Sequence, residues 1–287
     1  MAPKLALLHA VAEEGNLTRA AAAVGLPQPT ASRWLTALSA ELGTPIVVPD
    51  GRGIRLSRAG ASLAEAARRA LSELAAGVRQ AAGEADPERG QVVLGFLYTL
   101  GERRVPALLR AFRQEHPRVR FSLLQGGHEE LLEHVRSGRA DLAFTSPLPG
   151  PGEFTGTLLE EQQLVLTVPT GHHLATRRWV RMTALASETF VGLKAGSGLR
   201  EVTDQLARAA GVTPTFAFEG EEVDTLRGLV AAGLGVAVLP VAEPGPTPDV
   251  VEIPLQPRAI RRIGLVWDSD RPMAPAVRSF RDFVSHA

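Results

Sequence analysis

Two N-terminal segments carry apolar residues at the three- and four-residue steps of an amphipathic helix. The first covers residues 3–15 and ends at Gly15, and its apolar positions are Leu5, Leu8 and Ala12. The second begins after Pro27 and runs to about Gly43, and its predicted buried stripe comprises Ala31, Leu35, Leu38 and Leu42. A short alanine-rich helix is expected between them, with Thr18 as its N-cap. The pattern predicts three short helices, with a tight turn before the third.

Polar residues are concentrated at the start of the third helix. They are Gln28, Thr30, Ser32 and Arg33. Free backbone N–H groups at a helix N-terminus favour phosphate, and Gln and Arg side chains pair with adenine and guanine edges. Helix, tight turn and helix is a DNA-reading arrangement. The alternative interpretation is a small helical bundle with a solvated polar face.

Residues 46–57 form two short apolar segments around Asp50–Gly51–Arg52–Gly53, which is a hairpin signal. Three arginines decorate it, Arg52, Arg55 and Arg58. In a winged helix-turn-helix such a hairpin touches the DNA backbone or minor groove. An ordinary exposed hairpin with solubilising charge would have the same pattern.

Residues 59–82 contain no proline and carry a heptad-like apolar stripe, consisting of Leu63, Ala67, Ala70, Leu74, Val78 and Ala81. The stripe predicts either a helix that packs on its own domain or a linker helix that pairs two subunits. Residues 83–91 have the composition of a boundary loop.

The remainder of the chain contains an internal repeat. Residues 121–144 align with residues 216–239, so that Leu131 matches Leu226 and Gly138 matches Gly233. Each copy reads as strand, loop, helix, glycine turn and strand, and a further strand and helix precede each copy. Residues 164–168 and 263–267 are buried-strand runs that could return the chain between the two halves. Two α/β lobes with a ligand cleft between them are therefore expected.

The turns that follow the predicted strands supply the candidate ligand contacts. In the first lobe they are Tyr98, Thr99, Leu100, Gly127, His128 and Thr145, and in the second Lys194, Gly196, Ser197 and Glu219. Lys194 is either a charge for an anionic ligand or a solvated loop lysine. His128 is expected to face solvent rather than to act as a pH-sensitive group.

Residues 10–60, which include LTRAAAAVGLPQPTASRWLTALSAELGTPI and GRGIRLSRAG, resemble the N-terminal domain of LysR-type transcriptional regulators without a gap. The resemblance implies an N-terminal winged helix-turn-helix whose DNA contacts are Gln28, Pro29, Ser32, Arg33 and Arg52. Three residues depart from the family pattern: Pro27 replaces a usual Ser, Ser39 a usual Glu, and Pro49 a common DNA-contacting Arg.

The two-lobed α/β body is similar to the effector-binding domain of the same family, which itself resembles periplasmic solute-binding proteins. This implies effector contacts at Thr99 and around Gly196 and Ser197, a linker helix that makes a homodimer, and a homotetramer on promoter DNA. The expected domains are residues 1–58 for DNA binding, 59–84 for the linker helix and 91–287 for the effector. The first lobe would comprise about 91–165 and 267–287, and the second about 166–266.

Composition narrows the remaining functions. Residues 1–82 carry a net charge of +3 and the rest −3, which is a weak pointer to an anionic partner at the N-terminus. The chain has no cysteine, which suits a reducing cytoplasm, and neither a signal peptide nor a membrane span is expected. Residues 196–198 are not a nucleophile elbow, and His172–His173 lack the spacing of a helical metal pair. No catalytic set, metal or cofactor is predicted, which disfavours an enzyme. The alternative to a ligand-responsive transcription regulator is a cytoplasmic solute-binding protein or transport component without a DNA-dependent function, which the N-terminal helix-turn-helix and the lack of an expected signal peptide disfavour.

Overall fold

The computed structural model describes residues 2–51, 53–85, 89–150, 152–243, 245 and 247–286. The chain divides into two compact units, residues 1–81 with 137–139 and residues 82–136 with 140–287. None of the described helices has the length and apolar character needed to cross a membrane.

The N-terminal unit is a helix-turn-helix followed by a hairpin and a long helix. Its elements are α1 (Ala2–Glu14), α2 (Leu17–Ala23), α3 (Gln28–Leu42), β1 (Val47–Asp50), β2 (Gly53–Leu56) and α4 (Arg58–Ala85). The three short helices enclose a small core that includes Leu7, Leu8, Ala20, Ala31 and Leu35. The predicted helices and hairpin are confirmed as elements.

Two local expectations about these helices are wrong. The N-cap of α2 is Asn16, whose side chain accepts a hydrogen bond from Arg19 N at 3.1 Å, whereas Thr18 lies inside the helix and is exposed. Leu42 is 49% exposed, because α3 reaches beyond the small core before Gly43 ends it in the left-handed conformation.

The stripe of α4 changes surroundings along its length. Ala67 is buried in the core of the N-terminal unit, which we call the head, and Leu63 packs against that core. Farther along, Leu74 is 57% and Val78 62% exposed. Packing on its own domain therefore accounts for the beginning of the stripe but not for its later positions.

The larger unit contains two lobes of the same plan. The first has β3 (Gln91–Leu97), α5 (Arg104–Glu115), β4 (Arg120–Gly126), α6 (His128–Arg136) and β5 (Leu142–Thr145), and α9 (Pro275–His286) packs on it. The second has β7 (Thr189–Leu193), α7 (Gly198–Ala209), β8 (Thr215–Gly220), α8 (Val223–Ala231) and β9 (Ala237–Pro240). Leu131 and Leu226 are both fully buried at matching places in the repeat, and Gly138 and Gly233 both end helices with positive φ. The predicted internal repeat is confirmed.

Two long antiparallel strands, β6 (Phe154–Pro169) and β10 (Val250–Asp268), run through both lobes. They belong to a six-stranded sheet of order β4-β3-β5-β10-β6-β9, and β7 joins β9 through a bridge between Phe190 and Val236. One apolar core contains Ile263 and Leu265 from one end of β10, and a second core contains Ile253 and Ala259 from the other end. The expected crossover strands are present and extend well beyond the predicted runs.

Candidate functional site

Helix α3 presents a polar N-terminal turn on the surface of the head. Gln28, Pro29 and Arg33 are exposed, and Thr30 and Ser32 are half-buried. Ala31 and Leu35 lie on the opposite face and are buried in the core. The first turn contains no acidic residue. Because the apolar face fixes the rotation of the helix, the predicted base-reading residues share one accessible surface.

The unusual Pro27 is the N-cap of α3, and it makes no side-chain capping bond. The first turn is held by its carbonyl, which accepts hydrogen bonds from Thr30 N and Ala31 N. Proline supplies no side-chain acceptor to compete for the first-turn amides, so the N-terminal end remains suited to an outside anion.

Ser39, the second departure from the family pattern, has a structural role. Its hydroxyl donates to Leu35 O at 2.9 Å and accepts from Ile46 N at 3.1 Å. The side chain thus ties the last turn of α3 to the residue that enters the hairpin. Sequence reasoning missed this contact because it joins residues seven positions apart across a turn.

The hairpin predicted as a wing pairs Val47 with Leu56 and Asp50 with Gly53. Gly51 has φ of 55°, the left-handed conformation that a tight turn of this kind requires. Arg55 and Arg58 are exposed, and so is Pro49. The predicted contact Arg52 lies outside the described residues.

The two lobes of the larger unit are in contact where the turn after β5 meets the start of α7. Gly198, the first residue of α7, lies so close to Ser146 that a Cβ atom would be 1.7 Å from the Ser146 carbonyl oxygen. A Cβ on Gly127 would lie 3.5 Å from Gly196 O. The strand ends of the two lobes therefore converge here, and the predicted contacts Gly127, Gly196 and Ser197 come together.

The residues that follow β3 separate into surface and core. Tyr98 is exposed and Thr99 half-buried, whereas Leu100 is buried in the core of the first lobe. The Thr99 hydroxyl accepts a hydrogen bond from Arg261 Nη1 at 3.0 Å. Thr99 thus connects the surface of this turn to β10.

His128 does not face solvent, as the sequence suggested, but is only 7% exposed. Its Nδ1 forms a 2.8 Å hydrogen bond with the hydroxyl of Thr145, which is fully buried. Burial lowers the pKa of His128, and the nearby carboxylates of Glu129 and Glu201 raise it by less. The surface position expected for this ring is wrong because α6 turns it under the end of β5.

The charged turns of the second lobe are paired among themselves. Lys194 Nζ lies 2.6 Å from Glu221, whose carboxylate raises the pKa of the lysine. The Arg200 guanidinium pairs with Glu219 and also lies 3.0 Å from Asp204. The Ser197 hydroxyl caps α7 by accepting from Arg200 N at 3.2 Å. Each of these predicted effector contacts already has a partner within its own lobe.

Arg261 on β10 is a charged residue at the centre of the larger unit that sequence reasoning missed. It is 1% exposed and stands between Ala259, in one core, and Ile263, in the other. The alternation of inward positions along β10 gave a signal, since Arg261 has the same phase as these two apolar residues. Burial lowers the pKa of Arg261 to about 10, while the negative charge of Glu160 raises it.

The histidines judged too close for a metal pair are joined by a third side chain. Glu188 contacts both, at 3.2 Å from His172 Nε2 and 3.4 Å from His173 Nε2. His172 Nδ1 accepts from Leu174 N at 3.3 Å, which leaves the proton of a neutral ring on the Nε2 that faces Glu188. A protonated Nε2 is a hydrogen-bond donor and not a metal ligand, so the arrangement fits a loop-closing contact.

Comparison with known proteins identifies two adjoining family regions. Residues 3–61 match the bacterial regulatory helix-turn-helix proteins of the lysR family, and residues 85–287 match the LysR substrate binding domain. Among curated proteins, the HTH-type transcriptional regulator YybE of Bacillus subtilis is 33% identical over 282 residues, covering 98% of this chain and 97% of its own.

Solved structures show the same fold. The effector binding domain of QuiR in complex with shikimate is 26% identical, with a TM-score of 0.64 over 69% of this chain and 96% of its own. Full-length CbnR complexed with its target DNA is 23% identical, with a TM-score of 0.75 over 100% of this chain and 99% of its own. The chain belongs to the LysR family of DNA-binding transcriptional regulators, in which a helix-turn-helix domain precedes an effector-binding domain.

Proposed function

We propose that this regulator reads promoter DNA with the first turn of α3. The observation that supports this most directly is the exposed first turn of α3, which contains no acidic residue and displays Gln28 and Arg33. Ala31 and Leu35 hold the opposite face of the helix in the core. Arg33 is the strongest candidate for base contact, since its guanidinium can bind a guanine edge through two hydrogen bonds. The remaining contacts proposed for DNA are Thr18, Pro29, Thr30, Ser32 and Arg52.

The hairpin has a different proposed role. Arg52, with its neighbours Arg55 and Arg58, would bind phosphates rather than bases, because the hairpin of a winged helix-turn-helix lies against the DNA backbone beside the groove that the third helix reads. Phosphate contacts set affinity and salt dependence, whereas base contacts set sequence preference.

A pull-down of genomic fragments at moderate salt, followed by sequencing, tests the proposal. Wild-type protein is expected to retain one or a few promoter-sized fragments. Arg33→Ala should relax the preference at one base position by about 1–3 kcal/mol, and Arg52→Ala should weaken binding across sequences and reduce its salt dependence. Arg113→Ala, an exposed change on the first lobe, is the matched control. Equal, sequence-independent losses in Arg33→Ala and Arg52→Ala would contradict this division.

We infer that the effector binds between the lobes, where the strand-end turns converge. The residues proposed to line the site are Tyr98, Thr99, Leu100, Gly127, His128, Thr145, Lys194, Gly196, Ser197 and Glu219. The shikimate complex of QuiR, a relative at 26% identity over this region, supports a small organic anion as the class of ligand. Leu100 would contribute through its backbone, because its side chain belongs to the core. Ligand binding that favours one arrangement of the lobes would bias the state of the DNA-reading heads.

We also propose that the chain is a homo-oligomer paired through α4. Leu74 and Val78 are exposed apolar side chains on one stripe of this helix, and an opposed copy of the stripe would cover them. A dimer through α4 and a tetramer on DNA are the expected states, and sedimentation equilibrium with and without promoter DNA distinguishes them.

The functional division we propose is residues 1–58 for DNA binding, 59–84 for pairing and 91–287 for sensing, with lobe limits of about 91–165 with 267–287 and 166–266. The protein would act in the cytoplasm, where its DNA target lies, and without enzymatic activity or a cofactor. This last inference rests on the family, whose members are regulators.

A further inference from the structure

Arg261 is a buried cation without a carboxylate partner among the described residues. Its Nη1 donates to Thr99, and no described atom accepts a hydrogen bond from its Nε. A second buried arginine, Arg227, shows the usual solution: it pairs with Glu252 at 2.5 Å and donates to Pro240 O at 2.9 Å. Burying a charge is costly unless it is paired. Arg261 therefore has unused capacity to bind an anion.

Glu160, the acid whose charge acts on Arg261, does not supply that anion. One carboxylate oxygen of Glu160 accepts a hydrogen bond from Gln162 Nε2 at 2.8 Å, and the other lies 3.0 Å from Arg104 Nε in an ion pair without hydrogen-bond geometry. Glu160 acts on Arg261 through its field and forms no ion pair with it. The strand pair of β6 and β10, which we call the hinge, thus holds a buried cation that another molecule can neutralise.

Gln162 presents an unmatched acceptor beside this donor. It is the direct cross-strand partner of Arg261 in the antiparallel ladder, so the two side chains emerge on the same face. Its buried Oε1 has no hydrogen-bond partner among the described residues. The contact from Nε2 to Glu160 fixes which end of the amide is the oxygen, because a flipped amide would set oxygen against a carboxylate.

We propose that Arg261 and Gln162 form the floor of the effector site and bind a hydroxylated organic acid, a proposal that rests on the interlobe effector site inferred above. The carboxylate of the ligand pairs with the guanidinium, and its hydroxyl donates to Gln162 Oε1. Thr99, at the turn that follows β3, accepts a hydrogen bond from the same guanidinium. The ligand is therefore held by the hinge itself, while the charged turns of the second lobe keep their own ion pairs.

Entry to this floor requires the lobes to part. Gly198 lies against the Ser146 carbonyl, and the Arg103 side chain of the first lobe donates to the backbone carbonyl of Glu243 in the second. Breaking these contacts exposes the cation, and the bound acid replaces the water that would solvate it there.

The test compares thermal midpoints of full-length protein in two matched pairs of anions, glycolate with acetate and malate with succinate, against chloride at equal ionic strength. Each pair differs by one hydroxyl. For wild type, at least one hydroxy acid at about ten times its dissociation constant should raise the midpoint by about 3 °C more than its matched anion. Arg261→Met should lose the response to all four. Gln162→Leu should keep a response to the carboxylate and lose the difference within each pair.

The neighbouring Arg262→Met is the control, because Arg262 lies on the same strand, is exposed and pairs with Glu161. It should respond as wild type does. In chloride, Arg261→Met should melt no lower than wild type, since the substitution removes an unpaired buried charge; a purely structural arginine would give a drop of several degrees.

A wild-type midpoint that no hydroxy acid raises beyond its matched anion overturns the proposal, as does an Arg261→Met variant that still responds. If Arg261→Met is too unstable to compare, Gln162→Leu decides: discrimination between malate and succinate that survives this change also overturns it. Promoter binding is measured separately on wild type and Arg261→Met without anions. Failure there affects the proposed regulator function and leaves the anion result standing.

Discussion

The two lobes share a backbone plan but use opposite chemistry at their strand ends. In the first lobe, His128 and Thr145 form a buried neutral hydrogen bond. In the second, Lys194 and Arg200 form exposed or half-exposed pairs with acidic neighbours. Thr99 and Lys194 even occupy matching positions of the 95-residue repeat. A repeated fold therefore does not imply a repeated binding surface.

The contrast between paired and buried groups also bears on which charge near the cleft is available to bind a ligand. Lys194 is conspicuous in the sequence because it is one of two lysines, yet Glu221 already compensates it. Arg261 is one of many arginines, but it is buried and pairs with no acid in the described part of the chain, so its charge is the more consequential. Compensation by a neighbouring acid and solvent access therefore have to be known, beside residue type, before a charge is assigned to ligand binding.

The largest expected effect comes from truncating the two equivalent core leucines, Leu131→Ala and Leu226→Ala. Both side chains are fully buried at matching places, so each change should lower the free energy of unfolding by about 3–4 kcal/mol. Urea unfolding of both variants makes the comparison. A loss in one lobe more than twice that in the other would contradict equivalent packing of the repeat.

A smaller effect, of about 2–3 kcal/mol, is expected for Gly198→Ala, since the added methyl group would collide with the Ser146 carbonyl of the other lobe. Its free energy of unfolding should fall in the same urea assay. Gly228→Ala is the matched control: it lies in α8 of the same lobe with no atom near the added carbon, and it should gain about 0.5–1 kcal/mol. Equal behaviour of the two variants would show that the lobes do not meet at Gly198.

The smallest effect concerns pH and sharpens the contrast between the strand ends. Burial lowers the pKa of His128 below its ordinary 6.5, so the unfolded chain binds this proton more readily than the folded protein. The associated stability is fully present above pH 6.5 and is lost as the pH falls through the lower folded pKa. Urea unfolding at pH 7.5 and 5.5 should show a smaller loss for His128→Gln than for wild type. An identical pH dependence in both proteins would mean that the imidazole titrates freely.

Sequence periodicity predicted the elements better than the side-chain environments. The repeat at 121–144 and 216–239 was enough to predict two lobes of the same plan. Where a backbone plan recurs, the glycines that need positive φ and the leucines that fill the core recur with it. The family resemblance supplied the role of the head. These features depend on local spacing, which a single sequence displays directly.

The failures concern contacts between residues distant in the chain. The burial of His128 depends on Thr145, the surroundings of Arg261 depend on Thr99 and Gln162, and Glu188 meets two histidines from sixteen and fifteen residues away. Leu42 was misplaced for a related reason, since periodicity marks the face of a helix but not where its supporting core stops. Partners of this kind appear only once the strands are in register.

The ladder between β6 and β10 has two irregularities, one between Pro254 and Ala259 and one between Ile263 and Gly264. Where a ladder is interrupted by extra residues, the strand is bent and its twist increases locally. The regular run from Ala259 to Ile263 therefore lies between two bends of the strand pair, and Arg261 stands at its midpoint. Each lobe is thus joined to this run through its own irregularity, so the direction of the strands into one lobe is set independently of their direction into the other.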